Sequence, residues 1–392
     1  MSRDNLIFFI PLLLIAVSAL AASIVGVPLE VSSTYFDTGW YTAIKSIGYQ
    51  SPQSPAFFPG FPFLWKALHI GPAFMGAVNA VFWILGVWLL KQSKAIAVES
   101  LFFSMLVPVS LFFFIPYSES LFFVSVVLVI LGLQRDDIRL TVLGIVVSAL
   151  IRPTAAVIIP SLFIARLITT RAFIPSLKKG IIEGVAGLVG VAIVFSIQSI
   201  DTGEFLSFFE AQKEWGNAVT SPSWVLKTWG GHVITQLDGS ALFIGIMCLF
   251  VLIRSAQQKA TLNAVQLFGI AGITLTCLLV MFTRSGYVFS LNRFVYATAF
   301  FPLAIDGFRS LKIKKADWKW VVLTWVVYSV YLSSYLHIIS FLTCSFTGGV
   351  IILSAFAMHQ SGWKLKALSA GILLAISVYF VVEFYLKGNW IA

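Results

Sequence analysis

The feature that most constrains this chain is the recurrence of apolar stretches with almost no charge inside them. Thirteen occur, near residues 6–27, 72–90, 100–115, 120–133, 140–151, 153–165, 181–200, 240–253, 261–282, 290–308, 319–336, 337–358 and 367–386. Lipid offers the backbone no hydrogen-bond partners, so a helix that closes its own bonds is the natural occupant, at roughly 20 apolar residues per span. Of the 392 residues 59% are hydrophobic and 11% charged, against about a quarter charged in a soluble domain. A soluble enzyme, a disordered chain and a fibrous repeat are excluded. The expectation is an all-α integral membrane protein: a single polytopic domain over residues 1–392, a bundle of about 11–13 transmembrane helices.

Several runs are short. Residues 120–133, 140–151 and 153–165 fall below the roughly 17 residues a straight span needs, so they must be tilted, broken or sheltered by neighbours, as in helices that line a cavity. The break at Arg152-Pro153 leaves open whether the runs flanking it are one kinked helix. The first run, with Arg3 ahead of it and Ala19-Leu20-Ala21 near its end, has the outline of a signal peptide. It continues to Val27, long enough to span, and is expected as an uncleaved first helix. The three cysteines, Cys248, Cys277 and Cys344, all lie in apolar runs, which predicts buried thiols rather than a disulfide framework or metal site. His69, His232, His337 and His359 are scattered. No spacing of His, Cys or carboxylates makes a metal site, so no cofactor is assigned and a role for a divalent metal stays open.

Placing the loops on alternate sides with the N-terminus inside puts eighteen of the 26 Lys and Arg residues inside and eight outside. Lys and Arg resist translocation, so this split predicts a cytoplasmic N-terminus. The sixteen acids divide seven inside and nine outside, which explains the net charge of +10 by cytoplasmic loops lying beside anionic lipid. No nucleic-acid partner is needed.

The two long loops, about residues 28–71 and 201–239, then both lie outside. The first holds Asp37 amid aromatic residues, Phe36-Asp37-Thr38-Gly39-Trp40-Tyr41, then Lys45 and Tyr49, then Pro55, Pro59 and Pro62 among Phe57, Phe58, Phe61 and Phe63. Those prolines predict an irregular segment packed at the membrane interface. Tyr117-Ser118-Glu119-Ser120 forms a tight outer turn, where Ser118 or Ser120 could cap the next helix and Glu119 gain from its dipole, or Glu119 could be functional. Arg152-Pro153 places a cation beside a helix N-terminus, a favourable place for an anion. A fourth cluster runs from Arg284-Ser285-Gly286-Tyr287 to Asn292-Arg293-Phe294. Carboxylates and cations gathered at an outer interface suit transfer from a lipid phosphate, in which a base activates an acceptor hydroxyl and cations receive the departing phosphate.

The stretch Phe36–Tyr41 with Gly48-Tyr49 and Ala56–Pro62 resembles the first luminal loop of PIG-V-type mannosyltransferases, which add the second mannose in GPI-anchor synthesis. Pro108–Phe122, Ser148–Thr154 and Asn292-Arg293-Phe294 resemble later motifs of that family, and the likeness covers about residues 30–165 well. The family belongs to the GT-C glycosyltransferases. The resemblance implies a GT-C-like bundle with short broken helices and interfacial outer loops, a polyprenyl-phosphate sugar donor, inversion at the sugar, and a site on the non-cytoplasmic face. It also implies that Asp37 is the base. The expected partners are that donor, a lipid-linked or glycan acceptor and membrane lipids, in a prokaryotic plasma membrane or facing the ER lumen. Within this frame Glu119 would position the acceptor or a cation, Arg152, Arg293 and Lys45 would bind the donor phosphate, and Trp40, Tyr41, Tyr49, Phe58 and Tyr117 would shape the pocket. A transporter or lipid flippase without chemistry is the competing expectation, and a non-catalytic assembly partner a third; the absence of a detectable repeat and the clustering of charge at one face count against a transporter.

Overall fold

The computed structural model describes residues 34–222, 232–257 and 262–311, with isolated positions between 12 and 26. Among these residues all regular structure is helical. In chain order the helices are α1 (Asp37–Ile47), α2 (Gly60–Leu68), α3 (Pro72–Ser93), α4 (Val98–Met105), α5 (Glu119–Arg135), α6 (Ile138–Ile151), α7 (Ile158–Thr170), α8 (Phe173–Thr202), α9 (Ser207–Glu214), α10 (His232–Gln257), α11 (Ala264–Thr283), α12 (Leu291–Tyr296) and α13 (Phe300–Ser310). Five helical stretches are long and apolar enough to cross a membrane: Pro72–Ser93, Pro153–Thr170, Phe173–Thr202, Leu237–Gln257 and Ala264–Thr283. That is the pattern of a multi-pass membrane protein. The runs at 319–336, 337–358 and 367–386, and most of the run at 6–27, lie outside the described residues.

The helices alternate in direction, and hydrogen bonds between their ends show it. At one end, Gln134 of α5 donates to the carbonyl of Ser93 at the finish of α3 (2.7 Å), and Arg171, between α7 and α8, donates to the Ser255 and Ala256 carbonyls in the last turn of α10 (3.0 and 2.6 Å). A cation on the final carbonyls of a helix satisfies groups that have no partner within it. The α5–α6 hairpin turns at Asp136, a left-handed residue, and Asp137 caps α6 by accepting from the Arg139 and Leu140 amides. The opposite end carries α1, the start of α5, the finish of α6, and α12. Between the ends, α11 is the central helix, with 72% of its apolar window buried against 28% for α8, whose Ile181, Val185 and Leu188 are exposed on the outer surface of the bundle.

Several expectations change in detail. Residues 60–68 are helical despite Pro62. Pro59 is the N-cap and Pro62 lies in the first turn of α2, where a backbone amide has no intrahelical partner to lose. The segment does pack against protein, with Phe61 and Trp65 fully buried. The run 100–115 is not one span: α4 ends at Met105 and a 3₁₀ helix, Pro108–Phe113, follows. The run 290–308 divides into α12 and α13, because Pro302 cannot bond to, and clashes with, the carbonyl four residues earlier, and so must stand in the first turn of a new helix. Arg152 is extended (φ −151°, ψ 142°), and Pro153 opens a 3₁₀ turn into α7. Since α6 rises to Arg152 and α7 descends to Arg171, the break is a turn between two helices, not a kink in one. The second long loop is shorter than expected: α9 lies within it and α10 begins at His232.

Candidate functional site

Four charged side chains from distant parts of the sequence converge where α1, α5, α6 and α12 meet. Arg293, on α12, donates through Nη1 to Oδ2 of Asp37 at 2.5 Å and through Nε to Oε1 of Glu119. Arg152, at the α6 break, forms an ion pair with the same Glu119 oxygen at 2.6 Å. Glu119 is fully buried, and Arg152 and Arg293 are nearly so. The Asp37 side chain keeps 18% exposure, and no hydrogen bond among the described residues reaches its Oδ1. Glu119 Oε2 is also without a hydrogen-bond partner.

Each of these side chains is placed by local chemistry. Thr38, Tyr41 and Ile44 bury one face of α1, and Asp37 stands in its first turn, where the helix dipole favours a carboxylate. Trp40 and Tyr41 follow Asp37 at three and four residues, the spacing that shares a helix face. The Asp37 amide donates to the Tyr117 hydroxyl (3.3 Å), which donates to the Tyr35 carbonyl (3.2 Å). The Tyr41 and Ser118 hydroxyls bond at 2.9 Å. Neither serine acts as a side-chain cap for α5, because Ser118 is taken by Tyr41 and Ser120 donates to the Phe113 carbonyl (2.7 Å). Burial, with Asp37 adding to it, pushes the Tyr41 hydroxyl above its ordinary value, and burial does the same to Tyr117. Both phenols therefore stay protonated at neutral pH, and the proton acceptors left in the site are the carboxylates. The Arg293 guanidinium lies over the Tyr117 ring at 4.6 Å and Phe112 at 5.2 Å.

Asn79, Gly76 and Asp238, which the sequence reading left without a role, hold this arrangement. Asn79, fully buried on α3, donates to the Ile115 and Tyr117 carbonyls (2.5 and 2.7 Å) and so anchors the turn that carries Glu119. One helical turn earlier, a Cβ on Gly76 would lie 2.7 Å from the Phe114 carbonyl, so only glycine lets α3 approach that turn. Asp238, buried on α10, accepts from the Asn292 amide (2.9 Å) and its side chain (2.7 Å), fixing α12 beside Arg293. Arg284, just past α11, stacks on Phe289 at 4.3 Å and on Phe294 at 5.2 Å. The usable signal for Asn79 was a lone polar residue within the apolar run at 72–90, which is costly in lipid without a task; Asp238, among the polar residues that close the second long loop, carried no such signal.

The backbone marks the same place. Among the described residues, seven that are not glycine have positive φ. His69, Lys94, Asp136 and Arg171 are helix C-caps, a common left-handed position. The other three, Phe36, Ser285 and Ser290, adjoin Asp37, Arg284 and α12. Such conformations cost about 1–3 kcal/mol each and gather at functional sites, where the surroundings hold them.

The remaining expected pocket residues divide. Tyr41 and Tyr117 are part of the cluster. Trp40 stands beside it, stacked on Phe57 (5.7 Å) and edge-on to Trp215 (5.5 Å) of the second long loop. Lys45 is directed elsewhere: its Nζ donates to the Ile70 carbonyl (3.4 Å) and lies over Trp65 at 4.3 Å. Tyr49 and Phe58 serve the seam with α8, Tyr49 through its amide on Asp201 (2.9 Å) and Phe58 by packing on Val194, Phe195 and Phe208. Cys248 and Cys277 are buried free thiols. No group of three or more potential metal ligands occurs among the described residues. No family model matches the chain and no curated protein matches it in sequence, so the function is argued from this site.

Proposed function

We propose that the protein is a membrane glycosyltransferase of the GT-C type, close to the PIG-V-type mannosyltransferases, that moves a hexose, mannose in the first instance, from a polyprenyl-phosphate donor to an alcohol on a lipid-linked glycan or glycolipid. The observation that carries the reading is the half-open Asp37 carboxylate, one oxygen engaged by Arg293 and the other without a partner, beside buried arginines at one end of the helices. In the reaction Asp37 Oδ1 accepts the proton of the acceptor hydroxyl as its oxygen bonds to the anomeric carbon. The bond from that carbon to the phosphate oxygen breaks, the sugar inverts, and polyprenyl phosphate leaves with both electrons. A positioned base contributes about 10²–10⁴ in rate, and cations facing the leaving phosphate stabilise its growing charge.

Arg293 and Arg152 bring that positive field, and Glu119 sets their positions by holding both. Trp40 with Phe57 and Trp215 offers aromatic faces for sugar rings at the mouth. The excess of Lys and Arg at the opposite end supports an extracytoplasmic site through the preference of basic loops for the cytoplasm. The test compares membrane glycolipids by mass spectrometry with and without the gene. A hexose-bearing lipid that disappears on deletion and returns with the wild-type chain is expected; an unchanged glycolipid profile contradicts the proposal.

A further inference from the structure

Arg152 and Arg293 each form an ion pair with a carboxylate, but Arg284 has no carboxylate within ion-pair distance among the described residues. Its charge rests on the faces of Phe289 and Phe294. Phe294 is shared, since the Arg152 guanidinium, like that of Arg284, lies 5.2 Å from that ring, so the two guanidinium carbons are no farther apart than the two ring distances taken together, about 10.4 Å. Asp238, the other carboxylate nearby, accepts from Asn292.

The turn that carries Arg284 is built rather than loose. The Ser285 amide donates to the Ala218 carbonyl (3.3 Å), the Ser285 hydroxyl to the Gly216 carbonyl (2.8 Å), and the Thr220 amide to the Phe282 carbonyl (2.9 Å), which ties the turn to the second long loop. Ser285 holds a left-handed φ of 51° within it. Burial lowers the Arg284 guanidinium to about 10; Asp37 opposes the drop, while Arg293 and Arg152 deepen it. It remains charged at neutral pH, in a place where cations crowd it. An anion is what this arrangement lacks.

We infer that Arg284 is the primary phosphate-gripping side chain of the site, and that Arg152 and Arg293, already matched by Glu119 and Asp37, position the carboxylates around it. A guanidinium matches the oxygens of a phosphate monoester, and the aromatic rings at its back leave its donors for such a ligand. The chemistry is shared by a prenyl-phosphate headgroup and free phosphate. That the phosphate belongs to a sugar-carrying lipid rests on the function proposed above; the anion site does not.

The experiment uses the full chain in zwitterionic nanodiscs and follows phosphate by ³¹P NMR, with inorganic phosphate and farnesyl phosphate titrated separately. Saturable binding by the wild-type chain is expected, weakened at least about tenfold in Arg284→Ala and less in Arg284→Lys, which keeps the charge but not the fork. Tighter binding of farnesyl phosphate assigns the site to a lipid headgroup, and equal binding to free phosphate; both support it. Arg284→Gln and the lysine variant decide the matter if the alanine variant fails to fold by size-exclusion and melting. Equal binding by wild type and a folded neutral variant, or no saturable binding of either probe by wild type, overturns the inference. If Arg284-dependent binding is found but a prenyl-phosphate sugar is never consumed, the proposed transferase falls and the anion site stands.

Discussion

Two buried glutamates in this protein hold arginines in different ways. Glu183 on α8 takes Arg166 of the adjacent α7 through both oxygens, at 2.8 and 2.6 Å, across 17 residues of sequence. Glu119 takes Arg293 from 174 residues away and Arg152 from the α6 break on a single oxygen, and Arg293 reaches on to Asp37, 256 residues away. The first is a closed pair with one cation per carboxylate, which suits two neighbouring helices that must pass a charge through lipid. The second leaves an oxygen of each carboxylate with neither a hydrogen bond nor an ion pair among the described residues, and sets a third guanidinium beside them. A sealed pair has nothing to do but stay closed. An unsealed one, kept together by four separate helices and strained turns, is the candidate site.

The sharpest way to break this comparison is at Glu119. Glu119→Leu leaves two nearly buried arginines without their shared carboxylate, and a loss of about 3–5 kcal/mol, or failure to accumulate, is expected from thermal melting in detergent. Arg166→Met should cost a similar amount, because it strands Glu183. The pair Arg166→Met with Glu183→Leu should recover most of that loss, since removing both charges of a closed pair is close to neutral. The corresponding double change at Arg293 and Glu119 should not recover, because Arg152 and Asp37 remain. If both doubles recover equally, the two regions are the same kind of feature. Asn79→Ala frees two buried carbonyls of the Glu119 turn, at about 1–3 kcal/mol, and should loosen residues 114–118 in hydrogen exchange. The smallest effect is expected at Ser118→Ala, which loses one hydroxyl bond to Tyr41, about 1 kcal/mol by melting.

Much of this arrangement was legible because lipid makes charges conspicuous. Asp37, Glu119, Arg152 and Arg293 stand out in a chain with so few charged residues, and all four do meet. Which arginine pairs with which carboxylate was not legible, since pairing depends on how four helices converge. Lys45 was misplaced because its long flexible stem carries the ammonium away to Trp65. Pro62 read as a helix breaker, but a proline in the first turn breaks nothing, whereas Pro302 does divide an apolar run that looked continuous. Asn79, in the apolar run at 72–90, and Asp238, in the second long loop, drew no notice in the sequence, and only the carbonyls and amides they hold reveal what they do.

On the proposed function, the open oxygen of Asp37 takes a proton from an acceptor hydroxyl. Asp37→Asn keeps the size of the side chain and its place at the head of α1 but removes that base. Membranes carrying this variant, given radiolabelled polyprenyl-phosphate mannose and the native lipid acceptors, should contain normal amounts of folded protein and show transfer reduced by about 10²–10⁴. Transfer at close to the wild-type rate would contradict the account.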